Sequence, residues 1–401
     1  VSFETGQRRA EDGLDLLTSP AGRALLDRLD GTDVSATDEL RLASALRREF
    51  PAELVTAALG QHELRVRARA KFSRAGRMFF TRDGLEQASA EPVAAHRAGR
   101  FAAAGRVRVA DLCCGIGGDL VALAGAGADV RGVDLDPVHL RMATLNAAAY
   151  DVAGAVDTSR ADVRDADLDG MDAAFVDPAR RAGGRRLRTG DSEPPLDWCL
   201  ALTARTPHVA VKAAPGLDRS LVPSGWETEF VADGRELKEA VIWSPAFATG
   251  KATRATVLPG GHQLLPSPGD PVPCRPPGPY LLDPSPAVTR AGLVEELARE
   301  LGAWKIDPRI AFLSAEHPPH TPFGRTLRVL DDGPWREKEL PARLRAHRIG
   351  PLDIRRRGLA GDVDALRRRL KTTGDRPGVL VMTRVNDRPW ALLCEPVAGR
   401  S

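Results

Sequence analysis

Cysteine is scarce in this 401-residue chain: Cys113, Cys114, Cys199, Cys274 and Cys394 are all there is, with no CxxC pair and no His/Cys cluster. That spacing offers nothing to structural zinc, and an odd count suits reduced thiols better than a disulfide framework, so no metal site is expected. No apolar run is long enough to cross a bilayer, and the opening residues lack a basic-then-apolar leader; a cytoplasmic protein is expected. Aromatic residues make up only 5% of the chain, so base stacking would fall to arginine planes or to Phe312, Phe323, Trp335 and Trp390, four residues that read first as core. Lysine is rare as well. Seven lysines stand beside 50 arginines. Arginine's planar fork suits phosphate, although a GC-rich coding sequence gives the same bias.

What is present is an ordinary globular composition, 43% apolar and 28% charged, in a chain long enough for two or three domains. Residues 7–65 read as helices: Leu14, Leu16, Leu17, Leu25, Leu26 and Leu29 recur at helical spacing, as do Leu40, Leu42 and Leu46. From Val107 strands alternate with helices, the sign of a parallel sheet covered on both faces. Strands are predicted at 107–113, 129–134, 172–177 and 208–213, and helices near 118–126, 137–149 and 195–205. Apolar runs at 228–232, 237–243 and 253–258 read as sheet-edge strands, at least one of them antiparallel. The stretch 259–286 is rich in Pro and Gly, as a linker would be. Beyond it a smaller α/β unit is expected. Its helices fall at 288–301, 338–347 and 362–371 and its strands near 309–314 and 325–330; a terminal hairpin, 378–385 with 390–395, turns at Asn386-Asp387.

The chemistry concentrates in VRVADLCCGIGGDLVALAGAGADVRGVDLDP. Asp111 ends the first strand, Cys113 follows, and Gly115, Gly117 and Gly118 open a turn whose backbone can approach a ligand closely. The second strand ends at Asp134, where an acid can accept both hydroxyls of a ribose. An NAD enzyme is the obvious rival. Three features favour S-adenosylmethionine: an acid ahead of the glycines, which suits an amino group and a sulfonium better than a pyrophosphate; Asp162, placed for an adenine amino group; and Asp177-Pro178 closing the fourth strand, where a transferred methyl would lie. Asp119 reads equally as a helix-start acid and as a ligand contact.

With FSRAGRMFFTRDGLEQASAEPVAAHRAGR ahead of this core, the segment resembles the trimethylguanosine synthase branch of class I methyltransferases, and the whole chain resembles bacterial THUMP-like-domain methyltransferases. The resemblance implies a Rossmann-like α/β sheet at 71–260, preceded by a helical region at 1–70. It also implies a Pro/Gly linker at 261–276, a ferredoxin-like segment at 277–324 and a THUMP-like, RNA-binding domain at 325–401. It places Asp111, Gly115, Gly117, Asp134 and Asp162 on the cofactor and Gln87 and Ser89 at its methionine end; the last two read otherwise as a helix start before Val93. Relatives of this kind carry Asp/Asn/Ser-Pro-Pro-aromatic at the transfer site. Here the sequence is Asp177-Pro178-Ala179-Arg180-Arg181, without second proline or aromatic.

Methyl transfer needs orientation and field more than covalent help. The Asp177 carboxylate and Pro178 carbonyl can hold an acceptor nitrogen, Arg180 can stack on a base or grip a phosphate, and Lys212 can meet substrate or Asp177. Arg180 reads otherwise as a charged loop residue and Lys212 as half of a structural salt bridge. Glu236, Lys238 and Glu239 alternate on a later strand that could reach the same cleft. No cysteine is placed for a covalent pyrimidine mechanism. Arg343, Arg345, Arg348, Arg355, Arg356, Arg357, Arg367, Arg368, Arg369 and Lys371 are faced in sequence only by Asp353, Asp362 and Asp364, a density that reads as a phosphate-tracking surface or as a solvated face. The favoured expectation is a methyltransferase acting on a base nitrogen in tRNA or another structured RNA. The alternatives are a small-molecule or protein methyltransferase and a non-catalytic RNA-binding protein that retains the cofactor pocket.

Overall fold

A computed structural model describes residues 2–31, 36–179, 181–182, 185–186 and 192–397. Its contacts form two units, Val1–Leu221 with Ile242–Thr249, and Val222–Val241 with Gly250–Ser401.

The first unit opens with α1 (Ser2–Thr18), α2 (Pro20–Leu29), α3 (Ala36–Leu46) and α4 (Ala52–Ala68). Ser19 starts α2 by accepting from Gly22 N at 3.0 Å, with Pro20 in the first turn, where no amide is needed. Leu14, Leu17, Leu25, Leu26, Leu29 and Leu46 are buried as their spacing predicts, whereas Leu40 is 78% exposed. These leucines share one apolar cluster with Phe72, Phe79, Ile116, Val138 and Met142, so the helices are built onto the sheet that follows.

The chain continues with α5 (Arg82–Gln87), α6 (Glu91–Ala103), β1 (Arg108–Leu112), α7 (Gly118–Gly125), β2 (Asp129–Asp134), α8 (Pro137–Ala149), β3 (Val156–Arg160), β4 (Ala173–Val176), the two-residue strands β5 (Arg181–Ala182) and β6 (Arg185–Arg186), which pair only with each other, α9 (Leu196–Ala201) and β7 (His208–Ala213). Strands β7-β4-β1-β2-β3 lie in that order, each parallel to its neighbour. The near-continuous burial of β1, β4 and β7 is what a parallel sheet covered on both faces demands. Successive strands after β1 build outward through β2 and β3, then resume on β1's other side at β4. The order therefore reverses between β1 and β4, and a crevice opens at their carboxyl ends. The expected helix 195–205 ends as an α-helix at Ala201 and tightens into a 3-10 turn over Leu202–Ala204.

The second unit holds β8 (Glu227–Asp233) and most of β9 (Glu236–Trp243), followed by β10 (Thr253–Leu258), which runs parallel to β8. Strand β11 (His262–Leu264) joins β10 antiparallel, inside the stretch whose Pro and Gly content reads as linker. Then come β12 (Tyr280–Pro284), α10 (Pro286–Ala291), α11 (Val294–Leu301), β13 (Trp304–Lys305), β14 (Leu313–Ala315), β15 (Gly324–Pro334), α12 (Leu340–Ala346), β16 (Ile349–Arg356), α13 (Val363–Leu370), β17 (Arg376–Val385) and β18 (Arg388–Pro396). Their sheet has the order β13-β14-β12-β15-β18-β17-β16. The single helix expected over 288–301 is two, because Gly292 takes φ +76° and ends α10. Asn386 and Asp387, at φ +46° and +64°, make the β17–β18 turn as expected. Among the described residues no helix is long and apolar enough to cross a membrane.

A ring cluster anchors the first unit. Phe101 on α6 meets Phe175, Trp243 and Phe247 at centroid distances of 6.5, 5.8 and 4.9 Å. Phe101→Ala is expected to lower the unfolding free energy by about 3–5 kcal/mol in urea titration, since the cavity is bounded by rigid rings.

Candidate functional site

At the β1–β4 crevice Asp111 is fully buried, and neither carboxylate oxygen has a hydrogen-bond partner among the described residues. Burial, and after it the Asp119 and Asp177 carboxylates, push this carboxyl well above its usual range. A buried polar group left unpaired costs about 1–3 kcal/mol, more when charged, and calls for a ligand or a function. The turn that follows is bent for a visitor. Cys113 takes φ +62°, unusual for a side chain, and Gly115 takes φ +52° with open space where a Cβ would project. Gly117 is a glycine for a different reason: a Cβ there would lie 2.9 Å from the Cα of Ala143 on α8, so it serves helix packing.

Asp134 is tied to this turn. Its Oδ2 accepts from Gly115 N at 2.8 Å and its Oδ1 from Asp136 N at 2.9 Å, which leaves each oxygen a further lone pair. Asn146, fully buried on α8, donates to Ile116 O at 2.9 Å and Phe79 O at 3.0 Å and accepts from Phe79 N at 2.7 Å. It is a strut under the turn that sequence reading passed over; its only signal is an amide among the apolar residues of LNAAAY. Asp162 is half-buried after β3 and pairs with Arg164 at 3.1 Å, while Arg164 also bonds Glu193. An orphaned buried acid, an open glycine face and a tethered second acid fit S-adenosylmethionine, whose ammonium, sulfonium and ribose ask for such groups.

Behind Asp111 lies a buried charge network. Arg97 on α6 is 1% exposed, donates through Nε to Asp119 Oδ1 at 3.0 Å and through a second nitrogen to Ser89 Oγ at 2.7 Å. Ser89 Oγ donates to Asp119 Oδ2 at 3.1 Å and accepts from Lys212 Nζ at 3.1 Å. One hydrogen and two lone pairs are then all in use, so this hydroxyl is a junction. Lys212, at the end of β7, donates to Asp177 Oδ2 at 2.6 Å, one of the contacts its sequence position left open. Asp119 is thus an ion-pair partner, where its position suggested a cap or a ligand contact. Arg97 is the residue sequence reading missed, since a lone arginine in EPVAAHRAGR carries no motif. Lys71 holds the segment in place by donating to Leu85 O, Glu86 O and Ala88 O at 2.7, 3.1 and 2.9 Å. Gln87, the last residue of α5, is exposed.

Pro178 is buried beside Asp177, and Ala179 and Glu193 exchange backbone hydrogen bonds of 2.8 and 3.0 Å that close the base of the loop between them. Arg180 lies outside the described residues. Burial pushes the thiols of Cys113 and Cys114 up, and that of Cys199 to about 12, so none offers a ready thiolate. In the second unit exposed Glu236 pairs with Lys238 at 2.6 Å, and Glu239 is buried.

Known proteins bear on this geometry. Over 331 residues, 79% of this chain and 88% of its own length, an uncharacterized S-adenosylmethionine-dependent methyltransferase found in two Mycobacterium tuberculosis strains is 40% identical. The chain belongs to the S-adenosylmethionine-dependent methyltransferases. Residues 106–195 of this methyltransferase match the family described as RNA cap guanine-N2 methyltransferase, residues 324–396 match the THUMP domain-like family, and residues 11–68 match a domain family of unknown function. A crystal structure of a candidate methyltransferase from Porphyromonas gingivalis W83 has the same fold, with TM-score 0.70 at 20% identity over 91% of this chain and all of that one. The enzyme class and cofactor expected from Asp111, Asp134 and Asp177 therefore hold, as does the THUMP-like C-terminal part.

Arg97→Met would strand Asp119 as a buried unpaired charge. A loss of about 3–5 kcal/mol in urea unfolding is expected, most of it recovered when Asp119→Leu is added, because the pair is dispensable once both charges go.

Proposed function

We propose that this methyltransferase acts on a ring or exocyclic base nitrogen in a structured RNA, tRNA being the leading class. The observation that carries the reading is the Asp177–Lys212 pair at 2.6 Å at the carboxyl ends of β4 and β7. Lys212 engages Oδ2 and leaves Oδ1 of Asp177 to accept an N–H from the base, while the Pro178 carbonyl offers a second acceptor. S-adenosylmethionine supplies the electrophilic methyl group. Asp111, Cys113, Gly115, Gly117, Asp134 and Asp162 would hold it, with Gln87 and Ser89 toward its methionine end, Ser89 through the junction described above. Two acceptors on one amine align its lone pair and exclude competing orientations, the chief catalytic task in a displacement of this kind. The match to a guanine-N2 family supports a nitrogen acceptor. Without the second proline and aromatic at Ala179-Arg180, recognition of the base falls to other groups, Arg180 among them.

For the RNA side we propose residues 325–401 as the binding module, in a chain divided at 1–70, 71–260, 261–276 and 277–324. The arginine cluster is less naked than its sequence suggests. Arg343, Arg348, Arg355, Arg357, Arg367 and Arg369 pair with Asp331, Asp375, Asp353, Asp283, Asp364 and Glu337 at 2.5–3.1 Å. Exposed Arg345, Arg356, Arg368 and Lys371 have no ion-pair partner among the described residues and are the proposed phosphate contacts. Phe312 and Phe323 are core, and Trp390 donates to Asp332 at 2.8 Å, so stacking is not assigned to them.

Labelled-methyl transfer to total RNA from a strain lacking the gene tests the whole reading. Asp177→Ala is expected to lower the rate by about 10²- to 10⁴-fold; undiminished transfer would remove Asp177 from the mechanism. Changing Arg345, Arg356, Arg368 and Lys371 together to Glu is expected to weaken tRNA binding. The slope of log affinity against log salt should flatten by roughly 0.7–0.9 for each phosphate these side chains neutralise in the wild-type protein. If the intact protein binds neither tRNA nor other structured RNA even at low salt, the acceptor is a small molecule or a protein.

A further inference from the structure

The acids and bases around Asp111 do not balance. From α6 comes Arg97, from α7 Asp119, from the end of β4 Asp177 and from β7 Lys212; with Asp111 itself, all five groups belong to the first unit. Arg97 is spent on Asp119 and Lys212 on Asp177, both by direct contact. Asp134, at the end of β2, accepts two backbone N–H groups and is half-buried. On Asp111's own turn the thiols of Cys113 and Cys114 stay protonated through burial. Among those five side chains three carboxylates against two cations leave one negative charge over, and Asp134 adds another that is answered by its two backbone N–H donors. The unanswered charge falls on Asp111, the member with no donor for either oxygen.

Only two things neutralise a buried carboxylate with no donor: a proton or an incoming cation. S-adenosylmethionine carries a sulfonium in addition to its zwitterionic amino acid, a net charge of one. S-adenosylhomocysteine, the product, has the same shape and the same ammonium and carboxylate but no sulfonium. We propose that Asp111 is protonated in the free enzyme and in the product complex and is ionised only with the sulfonium cofactor in place, so that cofactor-for-product exchange is coupled to one proton at this residue. The inference concerns Asp111 and the cofactor alone, so it stands whether or not the acceptor is RNA.

The sign follows from linkage. A proton released on binding means affinity falls as pH falls, by at most about tenfold per pH unit for a single proton. The effect spans the interval between the carboxyl's complexed value and its raised free value. Over that interval S-adenosylmethionine should bind progressively more weakly at lower pH while S-adenosylhomocysteine holds its affinity, so product competes better in acid.

Isothermal titration of the full chain with each ligand, at one pH in phosphate and in Bis-Tris, reads the proton directly from the difference in heats. About one proton released with S-adenosylmethionine and near none with S-adenosylhomocysteine is expected. The sulfonium makes the ammonium of S-adenosylmethionine the more acidic of the two, so both titrations are run at about pH 6.5, where both ammonium groups are protonated. In Asp111→Asn the release should vanish and the affinity for S-adenosylmethionine should become flat with pH. Equal proton counts for the two ligands in the wild-type protein would overturn the proposal, as would an Asn variant that binds and still releases the proton. The wild-type comparison decides the matter by itself if the variant does not fold.

Discussion

The constraint on which the rest depends is a carboxylate to which no described residue gives a hydrogen bond. Asp111 sits at the end of the central strand, fully buried, with donors withheld from both oxygens. A fold tolerates such a group only as the neutral acid or with a bound cation, because an unpaired buried charge costs more than most single contacts return. Everything near it respects that imbalance of charge. Arg97 acts on it through space but is bonded to Asp119, Lys212 is bonded to Asp177, and Gly115 keeps its face clear. The site is therefore pre-organised for a cation before any ligand arrives, the arrangement in which least binding energy goes into rearrangement.

The same network explains why the segment before the sheet is part of the enzyme. Ser89 and Arg97 arrive from the α5–α6 region, and Lys71 fixes that region by capping α5. Asn146 ties the chain at Phe79 to the glycine turn at Ile116. The N-terminal helices bury their leucines in the cluster that also holds Ile116 and Met142. Removing them would expose the outer side of α8, the helix against which Gly117 packs. A region without chemistry of its own thus supports the turn that has it.

How much of this was legible in the sequence depends on whether a feature is local. The limits of β2, β7 and α8 are those predicted, because their apolar periods are strong and Asp136-Pro137 starts α8 with a side-chain cap. The glycine turn and the three acids were equally plain, since each marks the end of a strand. Strand β16 was not legible: it is rich in arginine and does not alternate, with only Ile349, Gly350 and Ile354 buried. The break at Gly292 was hidden because helical spacing resumes on its far side. Arg97 and Asn146 escaped because a partner distant in sequence gives them their meaning, and no spacing rule sees such a partner.

The arginine-rich stretch shows the same lesson with the opposite sign. Along the chain, ten bases face three acids. In space Asp283, Asp331, Asp375 and Glu337 enter from other elements and take up four of those bases. A cation already paired on the surface neutralises a phosphate only by giving up its acid, which lowers its net worth in counterion release. The number of charges in a basic patch therefore overstates its grip. What remains is a short set, Arg345 on α12, Arg356 at the end of β16, Arg368 on α13 and Lys371 just beyond it. If RNA is the partner, as proposed, so few cations suit recognition of a folded RNA's contour at a few phosphates better than tracking along an extended strand, which needs a continuous groove and stacking rings. With few aromatic residues in the chain and Phe312 and Phe323 in the core, shape is the recognition mode this surface chemistry can support.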